Sequence, residues 1–173
     1  MSDLTAPPTE RPDWKAIVNF IPAGTRVLDL GCGDGQFLSL LLAQKDAHGK
    51  GVEKDEEKVR YCRARGLSVE RGDIEEGLSD FADRSFEFVI LNQVLDKPQL
   101  PISVLKEMLR VARFGIVSFR EAGYLISFRS VLSRLGYYVD RSIFLKGSRQ
   151  VYFWPKRRAQ TAIYVIGGHG THA

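Results

Sequence analysis

Cysteine is scarce in this sequence, and its two thiols stand where no disulfide is expected. Cys32 lies in a glycine-rich turn and Cys62 in a predicted helix, so both are expected to be reduced. Long apolar runs are also lacking, since no segment approaches the ~18 consecutive apolar residues that a membrane helix needs. The N-terminus shows no signal-peptide pattern of a basic segment followed by an apolar one. We therefore expect a cytoplasmic protein with no membrane association.

Histidine is equally rare, with three residues in the whole chain. His169 and His172 stand in a C-terminal glycine-rich segment without a third ligand, so we expect no metal site. What the sequence does contain is 173 residues, 44% of them apolar, which suffices for one packed core. We expect a single domain over residues 14–167, flanked by flexible tails at residues 1–13 and 168–173.

Acidic residues are sparse in the second half of the chain. Residues 97–173 contain 13 basic residues (Lys and Arg) and 3 acidic ones (Asp and Glu). Residues 1–96 contain 12 basic and 18 acidic residues. The basic stretch 146–158 is also rich in aromatic residues, a combination that can bind RNA. Aromatic-rich segments more often pack on their own sheet or on a second copy, as in a homodimer. Nucleic acid is therefore the least favoured partner.

Short apolar segments alternate with helical patterns along most of the chain. The periodicity predicts helices near residues 35–45, 55–65, 101–113 and 124–135. Five strands are predicted between them, at residues 26–30, 48–53, 67–73, 86–92 and 114–119. Two more, at 137–145 and 161–168, are expected to form a closing hairpin. Such alternation indicates an α/β fold, a mostly parallel sheet with helices on both faces.

Three glycines at alternate positions follow the first predicted strand, in the segment "VLDLGCGDGQF". Gly31, Gly33 and Gly35 allow a positive φ and remove the side chains that would hold a ligand away from the backbone. The spacing differs from the dinucleotide fingerprint G-x-G-x-x-G, because Gln36 stands where the third glycine belongs. A phosphate-binding loop is excluded too, since no Gly-Lys-Ser/Thr follows. The turn therefore predicts a ligand at the carboxyl ends of the strands.

Acidic residues end the next two predicted strands. Glu53 lies 18 residues beyond Gly35, where a carboxylate can accept hydrogen bonds from both ribose hydroxyls. Asp73 ends the following strand, where its carboxylate can accept from an adenine amine while the Ile74 N–H donates to a ring nitrogen. The order and spacing of these groups predict an adenosine-containing ligand.

These motifs resemble those of the Rossmann-like S-adenosylmethionine-dependent methyltransferases: "VLDLGCGDG", "GVEKDEEKV", "RGDIEEGL" and "FEFVILNQVL". More narrowly, the segments "RVLDLGCGDGQFL", "GLSDFADRSFEFVILNQVL" and "VLKEMLRVARFGIVSF" are similar to the MetW family of methionine biosynthesis proteins. The resemblance implies a single-domain, doubly wound sheet of seven strands with the last antiparallel. It also implies S-adenosylmethionine as the cofactor.

The resemblance assigns roles to individual residues of the site. It places Gly31 and Gly33, with Cys32 between them, against the methionyl part of the cofactor, and Glu53 on the ribose. Asp29 either orients the glycine loop or meets the cofactor amine through water.

Further residues are assigned to the other two parts of the cofactor. Asp73 and Ile74 frame the adenine, and Lys54 gives it aliphatic cover at most. Asn92 and Gln93 are placed near the reactive methyl group.

The reaction itself is not specified by a motif. Methyl transfer can proceed largely by positioning, so no catalytic residue is assigned. Only "REAG" separates the fifth predicted strand from the next helix, a short segment compared with MetW-like proteins. Three functions stay open: methylation of a small-molecule acceptor, a non-catalytic cofactor-sensing association with homoserine O-acetyltransferase, and RNA methylation.

Overall fold

The helices and strands follow the order that the periodicity predicts, with two additions: a helix at Pro12–Phe20 and a two-residue strand at Arg149–Gln150. The structure is a computed structural model that describes residues 11–93, 101–120, 125–150 and 159–168. The helices are α1 Pro12–Phe20, α2 Gln36–Lys45, α3 Glu56–Ala64, α4 Ile102–Val111 and α5 Leu125–Arg134. The strands are β1 Arg26–Leu30, β2 His48–Glu53, β3 Val69–Arg71, β4 Phe86–Asn92, β5 Ala112–Arg120, β6 Tyr137–Lys146, β7 Arg149–Gln150 and β8 Thr161–Gly168. None of the described helices is long and apolar enough to cross a membrane.

The described strands form one sheet in the order β3-β2-β1-β4-β5-β8-β6-β7. β3, β2, β1, β4 and β5 pair in parallel, and β8 lies antiparallel to both β5 and β6. The predicted mostly parallel, doubly wound sheet is confirmed, as is the antiparallel last strand. The strand count is eight rather than seven, because the two-residue β7 folds back on the end of β6.

Buried side chains cover both faces of the sheet. Leu28 of β1 packs in a core with residues of α4 and α5, whereas its neighbour Val27 packs in a second core with α1 and α2. Because successive strand residues point to opposite faces, these cores lie on opposite sides of the sheet. The helices predicted for both faces are therefore present.

Some boundaries differ from the predicted ones. The predicted strand at residues 67–73 is ordered as β3 over three residues only. At the N-terminus, α1 begins at Pro12 and Asp13 is buried, so helical structure starts two residues before the expected folded part. Residues 1–10 and 169–173 of the expected tails lie outside the described residues, as do residues 151–158 of the basic aromatic stretch.

Candidate cofactor site

The glycine loop joins β1 to α2, and its three glycines all have positive φ, between 59° and 74°. At Gly35 an added Cβ would clash with Leu67 Cδ1 and lie 2.9 Å from Cys62 Sγ, so any other residue would require these side chains to shift in addition to the strain of a positive φ. At Gly33, in contrast, no atom lies within 4 Å of an added Cβ. Gly35 therefore packs the loop onto α3, while Gly33 leaves backbone facing open space.

Glu53 fastens this loop to the end of β2. Its carboxylate is buried, with 8% of the residue exposed. Oε2 accepts a hydrogen bond from the Gly33 N–H at 2.9 Å, and Oε1 accepts one from the Asp55 N–H at 3.0 Å. A carboxylate offers about four acceptor positions, so Glu53 retains capacity for two more donors. Gly33, assigned to the methionyl part of the cofactor, and Glu53, assigned to the ribose, are thus joined by a hydrogen bond.

Asp29 lies near the end of β1, just before the glycine loop, and is 3% exposed. Burial, and secondly the negative charge of Glu53, raise the pKa of the Asp29 carboxyl to about 8. At neutral pH the group is therefore mostly protonated. A cation brought beside it would favour its ionised form.

Asn92 is the last residue of β4 and Gln93 follows it, and the side chains of both are hydrogen-bonded. The Ser118 hydroxyl donates to Asn92 Oδ1, which leaves the amide N–H groups of Asn92 as the donors for other partners. Gln93 has a left-handed backbone with a φ of 54°, and its Nε2 donates to Asp13 Oδ2 at 3.1 Å. A non-glycine residue in this conformation marks a site where tertiary contacts override local preference.

A cavity of about 200 Å³ opens between the glycine loop, the end of β4 and the start of α1. Its lining residues are Arg11, Trp14, Asp29, Gly31, Cys32, Asp34, Phe37, Asn92 and Gln93. Five of the ten residues that the sequence analysis assigned to the cofactor thus share one cavity.

The helix α1, which supplies Trp14 to this cavity, was not predicted from the sequence, although N-terminal residues were expected near an acceptor pocket. Arg11 forms an ion pair with Asp13 at 2.7 Å, and its guanidinium lies 4.3 Å from the centroid of the Trp14 ring. A helix start is indicated by Pro12 followed by apolar residues at helical spacing, namely Trp14, Ile17, Val18 and Ile21. That signal was available, but it lies beside a proline-rich segment that is typical of a tail.

The remaining assigned residues lie along the same edge of the sheet but outside this cavity. Asp73 follows β3, and its carboxylate accepts from the Glu75 N–H at 3.0 Å. Ile74 is half-buried against the core that contains α4, and Lys54 is exposed. The main chain connects this region to the site, because Gly72 N–H donates to the Glu53 carbonyl at 3.1 Å.

Both cysteines are buried free thiols, as predicted. Cys32 lies within the glycine loop, and Cys62 lies beside it on α3. Cys62 Sγ donates to the Gly33 carbonyl at 3.4 Å. Burial is the largest of the effects that raise the pKa of each thiol above its usual range. A protonated, buried thiol is a poor nucleophile, and both side chains belong to the apolar cluster that packs against the loop. His169 and His172 lie outside the described residues.

Comparison with known families decides the class of protein to which this arrangement belongs. The family described as "Methionine biosynthesis protein MetW" matches residues 11–138. The chain belongs to the MetW family. The match includes the glycine loop, Glu53, Asp73 and the end of β4, and it begins at Arg11.

Curated relatives agree with the family. The chain is 38% identical over 120 residues to the bifunctional methionine biosynthesis protein MetXA/MetW of Rhodopirellula baltica, which covers 65% of this chain and 19% of that protein. It is 38% identical over 98 residues to a ubiquinone biosynthesis O-methyltransferase of Hahella chejuensis, covering 53% of this chain and 40% of the relative. The chain thus spans less than half the length of either relative.

Solved structures of methyltransferases share the fold. A chain in the complex of the Haloferax volcanii Trm112 methyltransferase activator with its methyltransferase matches with a TM-score of 0.69 and 17% identity, covering 92% of this chain and 90% of that one. A SAM-dependent methyltransferase from Aquifex aeolicus matches with a TM-score of 0.68 and 19% identity, covering 95% and 93%. At this level of identity the likeness establishes the fold.

Proposed function

We propose that this MetW-family chain binds S-adenosylmethionine at the carboxyl ends of β1, β2 and β4. The observation that carries the proposal is the Glu53 carboxylate, which holds the Gly33 N–H at 2.9 Å and retains acceptor capacity. A ribose diol requires such a buried, already oriented acceptor. The positive φ of Gly33 and the open space in front of it leave room for the ligand to approach the backbone.

The cavity beside this loop fits the amino-acid end of the cofactor. Asp29 in its lining suits an ammonium group, and the Arg11 guanidinium in the same lining suits a carboxylate. At about 200 Å³ it is smaller than the ~300–1,000 Å³ typical of whole-ligand pockets, so only part of the cofactor enters it. The ribose would then lie at Glu53, and the adenine toward Asp73 and Ile74.

We propose transfer of the cofactor's methyl group to a small-molecule acceptor as the activity. The bound cofactor would supply an electrophilic methyl carbon on a sulfonium. The chain would contribute position, by holding the glycine loop, Asn92 and Gln93 at fixed places around the cavity. Cys32 and Cys62 are too deeply buried to act as nucleophiles, so no covalent enzyme intermediate is proposed.

Calorimetric titration with S-adenosylmethionine and S-adenosylhomocysteine tests the binding. We expect micromolar affinity, weakened about 10- to 100-fold in Glu53→Gln, because an amide loses a charged acceptor for the ribose hydroxyls. Glu53→Gln is preferred to Glu53→Ala, because the single amide oxygen can still accept from either the Gly33 or the Asp55 N–H, whereas alanine releases both. Glu70→Gln is the matched control, since Glu70 lies on β3 and pairs with Lys50. A wild-type chain that binds neither ligand at millimolar concentration would refute the proposal.

A second candidate function is cofactor sensing in association with an acetyltransferase. The MetXA/MetW name of the Rhodopirellula relative favours it, because that name joins two activities in one chain. We propose homoserine O-acetyltransferase as the partner and methionine biosynthesis as the pathway. Purified acetyltransferase should be retained on the immobilised chain, and its retention should change when S-adenosylmethionine is added. If, with cofactor present, the wild-type chain retains no more acetyltransferase than the Glu53→Gln variant does, the result argues against sensing. If the wild-type chain retains no acetyltransferase at all, the result argues against this partner.

A further inference from the structure

Asp29 places a carboxyl group in the cavity wall without a hydrogen-bond donor beside it. The residue is 3% exposed and lines the cavity, and no described residue donates a hydrogen bond to its side chain. Within the described part of the chain, the buried polar side-chain atoms that lack both a partner and accessible surface are Trp14 Nε1 and the Tyr164 hydroxyl oxygen. The Asp29 oxygens have no partner and are not among these sealed atoms, so they reach the space of the cavity.

Glu53, on the neighbouring strand, has the opposite arrangement. It is also buried, but its carboxylate accepts from the Gly33 N–H at 2.9 Å and from the Asp55 N–H at 3.0 Å. Two such donors favour the ionised form of a carboxyl group. Asp29 lacks them, and burial together with the negative charge of Glu53 raises its pKa to about 8. The two carboxyl groups are thus held in different protonation states at neutral pH.

The other titratable groups of the cavity do not neutralise an ionised Asp29. In the described lining the cation is Arg11, which is already paired with Asp13 at 2.7 Å. The glycine loop contributes Asp34, a further acidic side chain, and Cys32, whose thiol keeps its proton because burial raises its pKa. The residues from the end of β4 carry no charge. A ligand cation is therefore the counter-ion that this carboxyl group lacks.

We infer that the ammonium group at the amino-acid end of the cofactor displaces the proton of Asp29, so that binding releases a proton to solvent. The O–H bond of the carboxylic acid breaks, its proton passes to water, and an ion pair forms between the carboxylate and the ammonium group, which keeps its own protons. Because the empty site holds this proton and the complex does not, affinity rises with pH. The inference rests on the proposed cofactor binding and goes beyond it, since binding alone requires no change in the protonation of the chain.

Calorimetric titration in buffers of different ionisation enthalpy counts the protons released. S-adenosylhomocysteine is one ligand, because its uncharged sulfur leaves the ammonium group protonated near neutral pH. The other is 5′-methylthioadenosine, which has the same nucleoside and no amino-acid end. An adjacent opposite charge lowers the pKa of a carboxyl group by about 1–3, so S-adenosylhomocysteine should release about 0.4–0.9 proton at about pH 7. Its affinity should rise about 5- to 50-fold between about pH 6 and pH 8.

The second ligand separates this inference from the proposed function without any variant. Binding of 5′-methylthioadenosine should release no proton, and its affinity should not change with pH. Equal proton release by the two ligands, or binding of S-adenosylhomocysteine without release, would overturn the inference while leaving cofactor binding intact. If the wild-type chain does not bind S-adenosylhomocysteine at all, cofactor binding itself is refuted.

Asp29→Asn identifies the source of the proton. The amide keeps the size of the side chain and has no acidic proton, so the variant should bind S-adenosylhomocysteine without proton release and with an affinity independent of pH. Asp80→Asn is the matched control, because Asp80 is exposed and lies outside the cavity lining, and it should release as many protons as the wild type. Undiminished proton release in Asp29→Asn would assign the proton to another group and overturn the inference.

Discussion

Replacing Asp29 with asparagine should change how the stability of the protein depends on pH. The carboxyl is 3% exposed and has a pKa of about 8, against an ordinary value of 3.8. Between these values the folded chain keeps a proton that the unfolded chain releases. The folded state therefore binds more protons than the unfolded state, and the free energy of unfolding falls as pH rises through this window. The asparagine side chain of the variant carries no titrating proton, so that fall is removed.

The expected magnitude follows from the width of the window. Between the two pKa values, each unit by which the pH rises lowers the free energy of unfolding of the wild type by about 1.4 kcal/mol relative to that of the asparagine variant. Between pH 5 and pH 7, the free energy of unfolding of Asp29→Asn should therefore rise by about 3 kcal/mol relative to that of the wild type. Above about pH 8 the carboxyl is ionised in both states, and the difference should become constant.

Urea unfolding of both proteins at pH 5, 6, 7 and 8 measures this difference directly. Titrating groups far from Asp29 are common to the two chains and cancel in the comparison. Asp80→Asn serves as the matched control, because it makes the same chemical change on an exposed side chain. Parallel profiles for Asp29→Asn and wild type would refute the raised pKa of Asp29.

Two further pairs of substitutions test packing, one pair in the glycine loop and one on α4. Gly35→Ala should destabilise the fold by about 2–4 kcal/mol, since its Cβ would clash with Leu67 and Cys62, whereas Gly33→Ala should cost about 1 kcal/mol from backbone strain alone. Equal losses in thermal unfolding would contradict this difference. Arg110→Met should cost about 2 kcal/mol, because the guanidinium donates to the Leu78 and Phe81 carbonyls at 2.8 and 2.9 Å. Lys106→Met on the exposed side of α4 should change the urea midpoint little, and a similar shift in both variants would contradict the role of Arg110.

Features set by local backbone preference were predictable from the sequence. Gly31, Gly33 and Gly35 adopt the positive φ that their spacing indicates, and Asp55 begins α3 by accepting from two backbone N–H groups. Both depend on residues within a few positions of one another. The alternation of strands and helices likewise follows from hydrophobic period alone.

Features that depend on long-range contacts were not predictable in the same way. The bond from Gln93 to Asp13 joins residues 80 positions apart, and no local pattern specifies it. The same holds for the pKa of Asp29, which depends on burial and on Glu53 from the neighbouring strand. The approach of α1 to the cavity is also a tertiary effect, since Pro12 and its neighbours are compatible with either a helix start or a tail.

Asp13 connects two parts of the chain that are built from separate segments. Its carboxylate oxygen Oδ2 forms an ion pair with Arg11 and also accepts a hydrogen bond from the side-chain amide of Gln93. A shift of the residue that follows β4 must therefore be accompanied by a shift of the first helix, or one of these bonds is lost. A fusion or truncation made near residue 11 would consequently be felt at Gln93, a residue that lines the cavity and lies 80 positions from Asp13 in the sequence.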